Sequence, residues 1–137
     1  MDGLFISPED LVVVSASGDG LILVRRINPH PDSIEQPQNL QEIKFGGGSF
    51  ALNVRLASFP SKSGKTVHLL FACMDNCKIN IYSWNGTDFE FCHALVGHEN
   101  WCQCVEAVVD QKVSSVFHVN LNRKAHLSTV PHSHFGF

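Results

Sequence analysis

Three short apolar runs, each bounded by a turn signal, dominate the stretch from His68 to Val105. They are His68–Cys73, Cys77–Ser83 and Phe89–Val96. Met74-Asp75-Asn76 separates the first two, and Asn85-Gly86-Thr87-Asp88 separates the second from the third. Within the middle run, Lys78-Ile79-Asn80-Ile81-Tyr82 alternates polar and apolar side chains, the period of a half-buried strand. Asn-Gly between two such runs is a strong hairpin signal, because both central residues of the favoured turn need positive φ. The pattern predicts three consecutive antiparallel strands. Gly97-His98-Glu99-Asn100-Trp101 follows, and a further strand is predicted at Cys102–Val109.

An earlier stretch repeats the arrangement. Leu11–Ala16 is β-branched and extended, Gly18-Asp19-Gly20 turns the chain, and Leu21–Val24 returns it. Asp19 and Asn76 stand at the same place in the two copies, 57 residues apart. A polar, proline-bearing connection from Pro29 to Asn39 follows the first copy and lengthens it. Strands are predicted again at Leu40–Phe45 and at Phe50–Phe59, where Phe50, Leu52, Val54 and Leu56 alternate onto one face. Gly46-Gly47-Gly48-Ser49 is a short joint between them, and residues 1–10 read as a loop or a frayed strand end.

The order of strand, acidic turn, aromatic-ended strand, hairpin, strand and Gly-His resembles a WD40 repeat. Asp19 and Asn76 fall where the family carries its turn Asp, with Asp75 beside Asn76. Tyr82 falls where the family carries Trp, and Gly97-His98 where it opens the next unit. Arg25 replaces the aromatic of the first copy. The runs Phe45–Leu52, Ala72–Tyr82 and Gly97–Trp101, in that order, are similar to the N-terminal propeller of the WD40 scaffold subunits of Elongator.

The resemblance implies an all-β fold, an incomplete WD40 β-propeller of about two to three blades of four-stranded antiparallel sheet. It covers roughly residues 10–110 and implies a partial WD40 propeller over residues 1–110; residues 111–137 depart from it and are expected to form a divergent, poorly ordered tail. It also implies a non-catalytic scaffold in the cytoplasm and nucleus whose partners are the other Elongator subunits. That assembly modifies wobble uridines of tRNA and is linked to histone acetylation and transcription elongation. Asp75, Glu99, Asn100 and Trp101 are the expected partner contacts. In the family the His of Gly-His joins a buried network with a turn Asp of its own blade. The blade that His98 opens has no such Asp before the tail diverges, so His98 is expected to stay outside that network. A β-sandwich from the same strands and a generic WD40 adaptor of another complex remain open.

Composition narrows the alternatives. The 137 residues carry 44% hydrophobic and 17% charged side chains, as a globular domain does. A net charge of −3 supplies no positive field for nucleic acid or an anionic membrane, so neither partner is expected. Five Cys lack the spacing of a disulfide framework and point to a reducing compartment.

No cofactor, metal or small-molecule substrate is expected either. Gly64-Lys65-Thr66 has Phe59 where a phosphate loop needs Gly, and a strand is predicted after it. Cys102, Cys104, His118, His126, His132 and His134 lack zinc-ligand spacing. Cys92 and His93 are neighbours on a predicted strand, and strict alternation would send them to opposite faces. Asn85-Gly86-Thr87 matches a glycosylation acceptor but reads as the hairpin turn.

Overall fold

The computed structural model describes residues 1–60 and 63–96, and the backbone of three later strands, 102–109, 114–120 and 125–130. Eleven strands and no helix occur among the described residues: β1 (Asp2–Ser7), β2 (Asp10–Ser17), β3 (Leu21–Ile27), β4 (Gln38–Lys44), β5 (Ala51–Pro60), β6 (Thr66–Met74), β7 (Lys78–Trp84), β8 (Phe89–Val96), β9 (Cys102–Val109), β10 (Ser114–Asn120) and β11 (Ala125–Val130). They form three antiparallel sheets in chain order: β1-β2-β3-β4, β5-β6-β7-β8 and β9-β10-β11. Consecutive strands pair throughout, so each sheet is a simple meander.

The sheets stack face to face along the chain. Val12 and Val14 of β2, with Ile22 and Val24 of β3, form the front of the first sheet. They pack on the back of the second, on Ala51, Val54, Leu70, Ala72, Met74, Tyr82 and Phe89. The front of the second sheet carries Phe59, Val67, Leu69, Phe71, Cys73, Ile79 and Ile81. Both faces of β6 are therefore buried, which accounts for the near-continuous apolar run read in sequence there. β9 lies beside β5 and β6, and β1 and β2 lie beside β5, so the first strands of successive sheets are neighbours.

Sequence spacing and packing agree in one detail. Moving 57 residues along the chain takes Val12 to Leu69, Val14 to Phe71, Ala16 to Cys73, Ile22 to Ile79 and Val24 to Ile81. Every residue of the first front thus has its counterpart on the second front. The sheets repeat in one direction, front onto back. A two-layer sandwich would place two equivalent faces against each other instead.

Asp2 and Gln41 join the first sheet to the second. Asp2 Oδ2 accepts the Leu56 N–H at 2.8 Å. The Gln41 carboxamide donates to the Phe89 carbonyl and accepts the Phe89 N–H, both at 2.8 Å, as a neighbouring strand would.

Three expectations need correction. Residues 1–10, expected to be a loop or a frayed strand end, hold a full strand: β1 pairs with β2 across a Pro8-Glu9 turn. The alternation expected of Phe50–Phe59 fails because β5 shifts register between Ala51 and Asn53. The extra residue puts Ala51 and Val54 on one face, and Leu52 leaves it. The same happens in β8, where the register passes from Ile81↔His93 to Tyr82↔Phe91 and Cys92 is the extra residue. Strict alternation therefore does not separate Cys92 from His93. β10 and β11 are the part of residues 111–137 whose backbone is described.

Candidate protein-interaction surface

The two turns singled out in sequence are built alike. Asp19 Oδ1 accepts the Leu21 N–H at 3.2 Å, and Asn76 Oδ1 accepts the Lys78 N–H at the same distance. Each side chain mimics a backbone turn, which is why Asp and Asn suit the position. The next residue is left-handed in both cases, Gly20 at φ 87° and Cys77 at φ 68°. Gly20 is obligatory: a Cβ there would sit 2.7 Å from the Ser49 carbonyl oxygen. Cys77 is the only non-glycine residue with positive φ among the described residues, and it adopts that conformation at a steric cost.

The remaining candidate residues take different positions. Asp75 clamps the start of β5: its N–H donates to the Phe50 carbonyl at 3.1 Å, and its Oδ1 accepts the Phe50 N–H at 3.4 Å. Tyr82 is buried inside β7, two residues before that strand ends at Trp84. Its ring meets Phe91 edge to face at 5.7 Å, and burial raises its phenol above the usual value while a hydrogen bond from Asn80 opposes the shift. Gly97, His98, Glu99, Asn100 and Trp101 lie outside the described residues.

Among the described residues the reactive-looking groups do not assemble; the side chains of Cys102, Cys104, His118, His126, His132 and His134 lie outside them. Burial pushes the Cys92 thiol up, partly offset by hydrogen bonds from Ser83, and Glu90 raises it further. That is the opposite of nucleophile activation. Cys92 Sγ donates to the Glu90 carbonyl at 3.7 Å. No group of three or more metal-ligating side chains occurs among the described residues. Gly64 leads into β6, a strand with no helix N-terminus to hold phosphate. Asn85 is committed to its own turn, accepting from Thr87 and Asp88 N–H groups and donating to Asp88 and Glu90.

Sequence reading missed one polar pair. Ser58 and His68 face each other across β5 and β6, with Ser58 Oγ 2.6 Å from His68 Nδ1. Burial lowers the His68 pKa, so the ring is held neutral. A Ser–His contact is two parts of a hydrolytic arrangement. Among the described residues no carboxylate bonds the ring, so the contact serves to satisfy two half-buried groups. Its only sequence signal was the cross-strand register, which a run of strands alone does not supply.

An open cleft of about 370 Å³ lies where the proline-bearing connection leaves β3, lined by Glu9, Arg26, Asn28, Glu35 and Gln38 among others. Arg26 is occupied there by a two-pronged pair with Asp10, at 2.7 and 3.2 Å. The exposed large apolar side chains are elsewhere: Phe5 on β1, Phe91 and Val96 on β8, Met1, and Ile34 in the connection.

No protein-family model matches the chain. No protein of curated function matches it either.

Proposed function

We propose that this chain is part of a WD40 propeller and works as a non-catalytic scaffold, held by other proteins and holding them. The observation that carries the reading is the 57-residue equivalence of the two sheet fronts. It gives a head-to-tail stack of four-stranded meanders whose first strands are neighbours, the order that radial blades require. The matched turns at Asp19 and Asn76 support it further. A blade buries its faces only against other blades, so a chain of this kind acts in company.

The assembly we assign is Elongator, in the manner of the N-terminal propeller of Elongator complex protein 2, on the strength of the motifs around Asp75–Tyr82 and Gly97–Trp101. In that setting the chain supports tRNA wobble-uridine modification from the cytoplasm and nucleus, with the chemistry in a partner subunit. Affinity purification of the tagged chain followed by mass spectrometry tests this. Recovery of the other Elongator subunits is expected. Recovery of a different complex in their place would move the chain to the second reading, a WD40 adaptor outside Elongator.

A further inference from the structure

We propose that Asn85 is a site of self-catalysed deamidation, and that the carboxylate it becomes loosens the seam between the first two sheets.

Deamidation begins when the backbone nitrogen of the next residue attacks the carbonyl carbon of the Asn side chain. A side chain on that next residue obstructs the approach, and glycine has none. Asn85-Gly86 is the one Asn-Gly step in the sequence; every other Asn is followed by a residue that carries a side chain. A Cβ built on Gly86 would meet nothing within 4 Å, and Asn85, Gly86 and Thr87 are all exposed. The turn therefore has room to rearrange, and water reaches it.

The same turn prepares the carbonyl for attack. Asn85 Oδ1 accepts the Thr87 N–H at 2.9 Å, the Thr87 hydroxyl at 3.0 Å and the Asp88 N–H at 3.0 Å. Negative charge develops on this oxygen as the Gly86 nitrogen adds to Cγ, and three donors at such distances stabilise it as an oxyanion hole does. Asn76 is the internal contrast. Its Oδ1 accepts the Lys78 N–H at 3.2 Å, and Cys77 follows it.

The step needs only water. The Gly86 nitrogen gives up its proton to water and bonds to Asn85 Cγ. The bond from Cγ to Nδ2 breaks, and Nδ2 takes up a proton and leaves as ammonia. Water then opens the five-membered imide. Opening at Cγ gives aspartate; opening at the main-chain carbonyl gives isoaspartate, which lengthens the backbone by one methylene.

Either product reverses the electrostatics of the turn. Asn85 Nδ2 donates to Asp88 Oδ1 at 2.7 Å and to Glu90 Oε1 at 2.8 Å. A carboxylate at position 85 replaces these two attractions with two like-charge contacts. Phe89 lies between those two acids. It is buried, it meets Trp84 edge to face at 5.0 Å, and Gln41 of β4 holds its backbone N–H and carbonyl. Opening the turn thus pulls on the residue that seats the first sheet on the second.

The test incubates the full chain at neutral pH, folded by circular dichroism, and maps deamidation by mass spectrometry of its peptides. The same chain unfolded in guanidinium chloride is the reference. Asn85 should lose its amide faster in the folded chain, with Asn76 intact. Thr87→Val keeps the side-chain shape without the hydroxyl and should slow the folded rate about fivefold, the worth of one hydrogen bond to a developing charge. Asn85→Asp installs the product in advance and should speed deuterium exchange at the Phe89 amide. Asn85→Ala, which loses the same bonds without gaining charge, should speed it less. Slower loss in the folded chain than in the unfolded one, equal loss at Asn76, or an unchanged rate in Thr87→Val would each overturn the self-catalysis. A Phe89 amide that Asn85→Asp does not move, or moves less than Asn85→Ala does, would overturn the coupling to the seam.

Discussion

Asp19 and Asn76 each accept the backbone N–H two residues on, at the same 3.2 Å, from turns 57 residues apart. The equality holds although one side chain is charged and the other is not. The structural task at both places is to offer an oxygen to a backbone amide, and either residue does it. Asp19→Ala and Asn76→Ala should each lower stability by about 0.5–1.5 kcal/mol, the net value of one such bond. Asp19→Asn and Asn76→Asp should be close to neutral. Urea denaturation of the four variants checks both statements.

The residues that follow these turns should respond in opposite directions. Gly20→Ala forces a Cβ against the Ser49 carbonyl in a left-handed conformation, so a loss of at least about 1–2 kcal/mol is expected. Cys77→Gly removes the steric cost at φ 68° and should gain up to about 1 kcal/mol. A shift of the denaturation midpoints in the same direction for both would contradict the geometry.

Phe71 is 1% exposed at the centre of the second front, and Phe91 is 59% exposed on β8. Phe71→Ala should therefore cost about 3–5 kcal/mol. Phe91→Ala should cost only the edge contact with Tyr82, about 0.5–1.5 kcal/mol. Thermal unfolding followed by circular dichroism separates the two.

His68 should make stability depend on pH. Its pKa is lowered in the folded chain, while the unfolded value stays near 6.5. Between those two values the unfolded chain binds more protons. The contribution of the neutral ring is therefore fully present above pH 6.5 and is lost as pH falls through the folded value. His68→Gln should flatten that part of the stability profile, measured by denaturant titration between pH 5 and 8.

Most strands were legible because their alternation and turn chemistry are local. Lys78–Trp84 and Phe89–Val96 needed only their own side chains and the Asn-Gly turn between them. β1 was less legible because Leu4, Phe5 and Ile6 form a short run that gains its partner only across Pro8-Glu9. The register shifts at Ala51–Asn53 and at Cys92 left no mark in composition, since a bulge is set by what the neighbouring strand offers. The polar residues divided on the same line. The turn residues Asp19 and Asn76 could be read from type and spacing, whereas Ser58 met His68 only through the pairing of β5 with β6.

The double hydrogen bond from Gln41 to Phe89 gives the stack a built-in gauge. A single backbone amide is shielded by a side chain 48 residues away, so its protection from deuterium reports whether the first sheet is seated on the second. If the two sheets separate before either melts, the Phe89 amide should exchange well ahead of its neighbours in β8. If they melt as one unit, it should exchange in step with them.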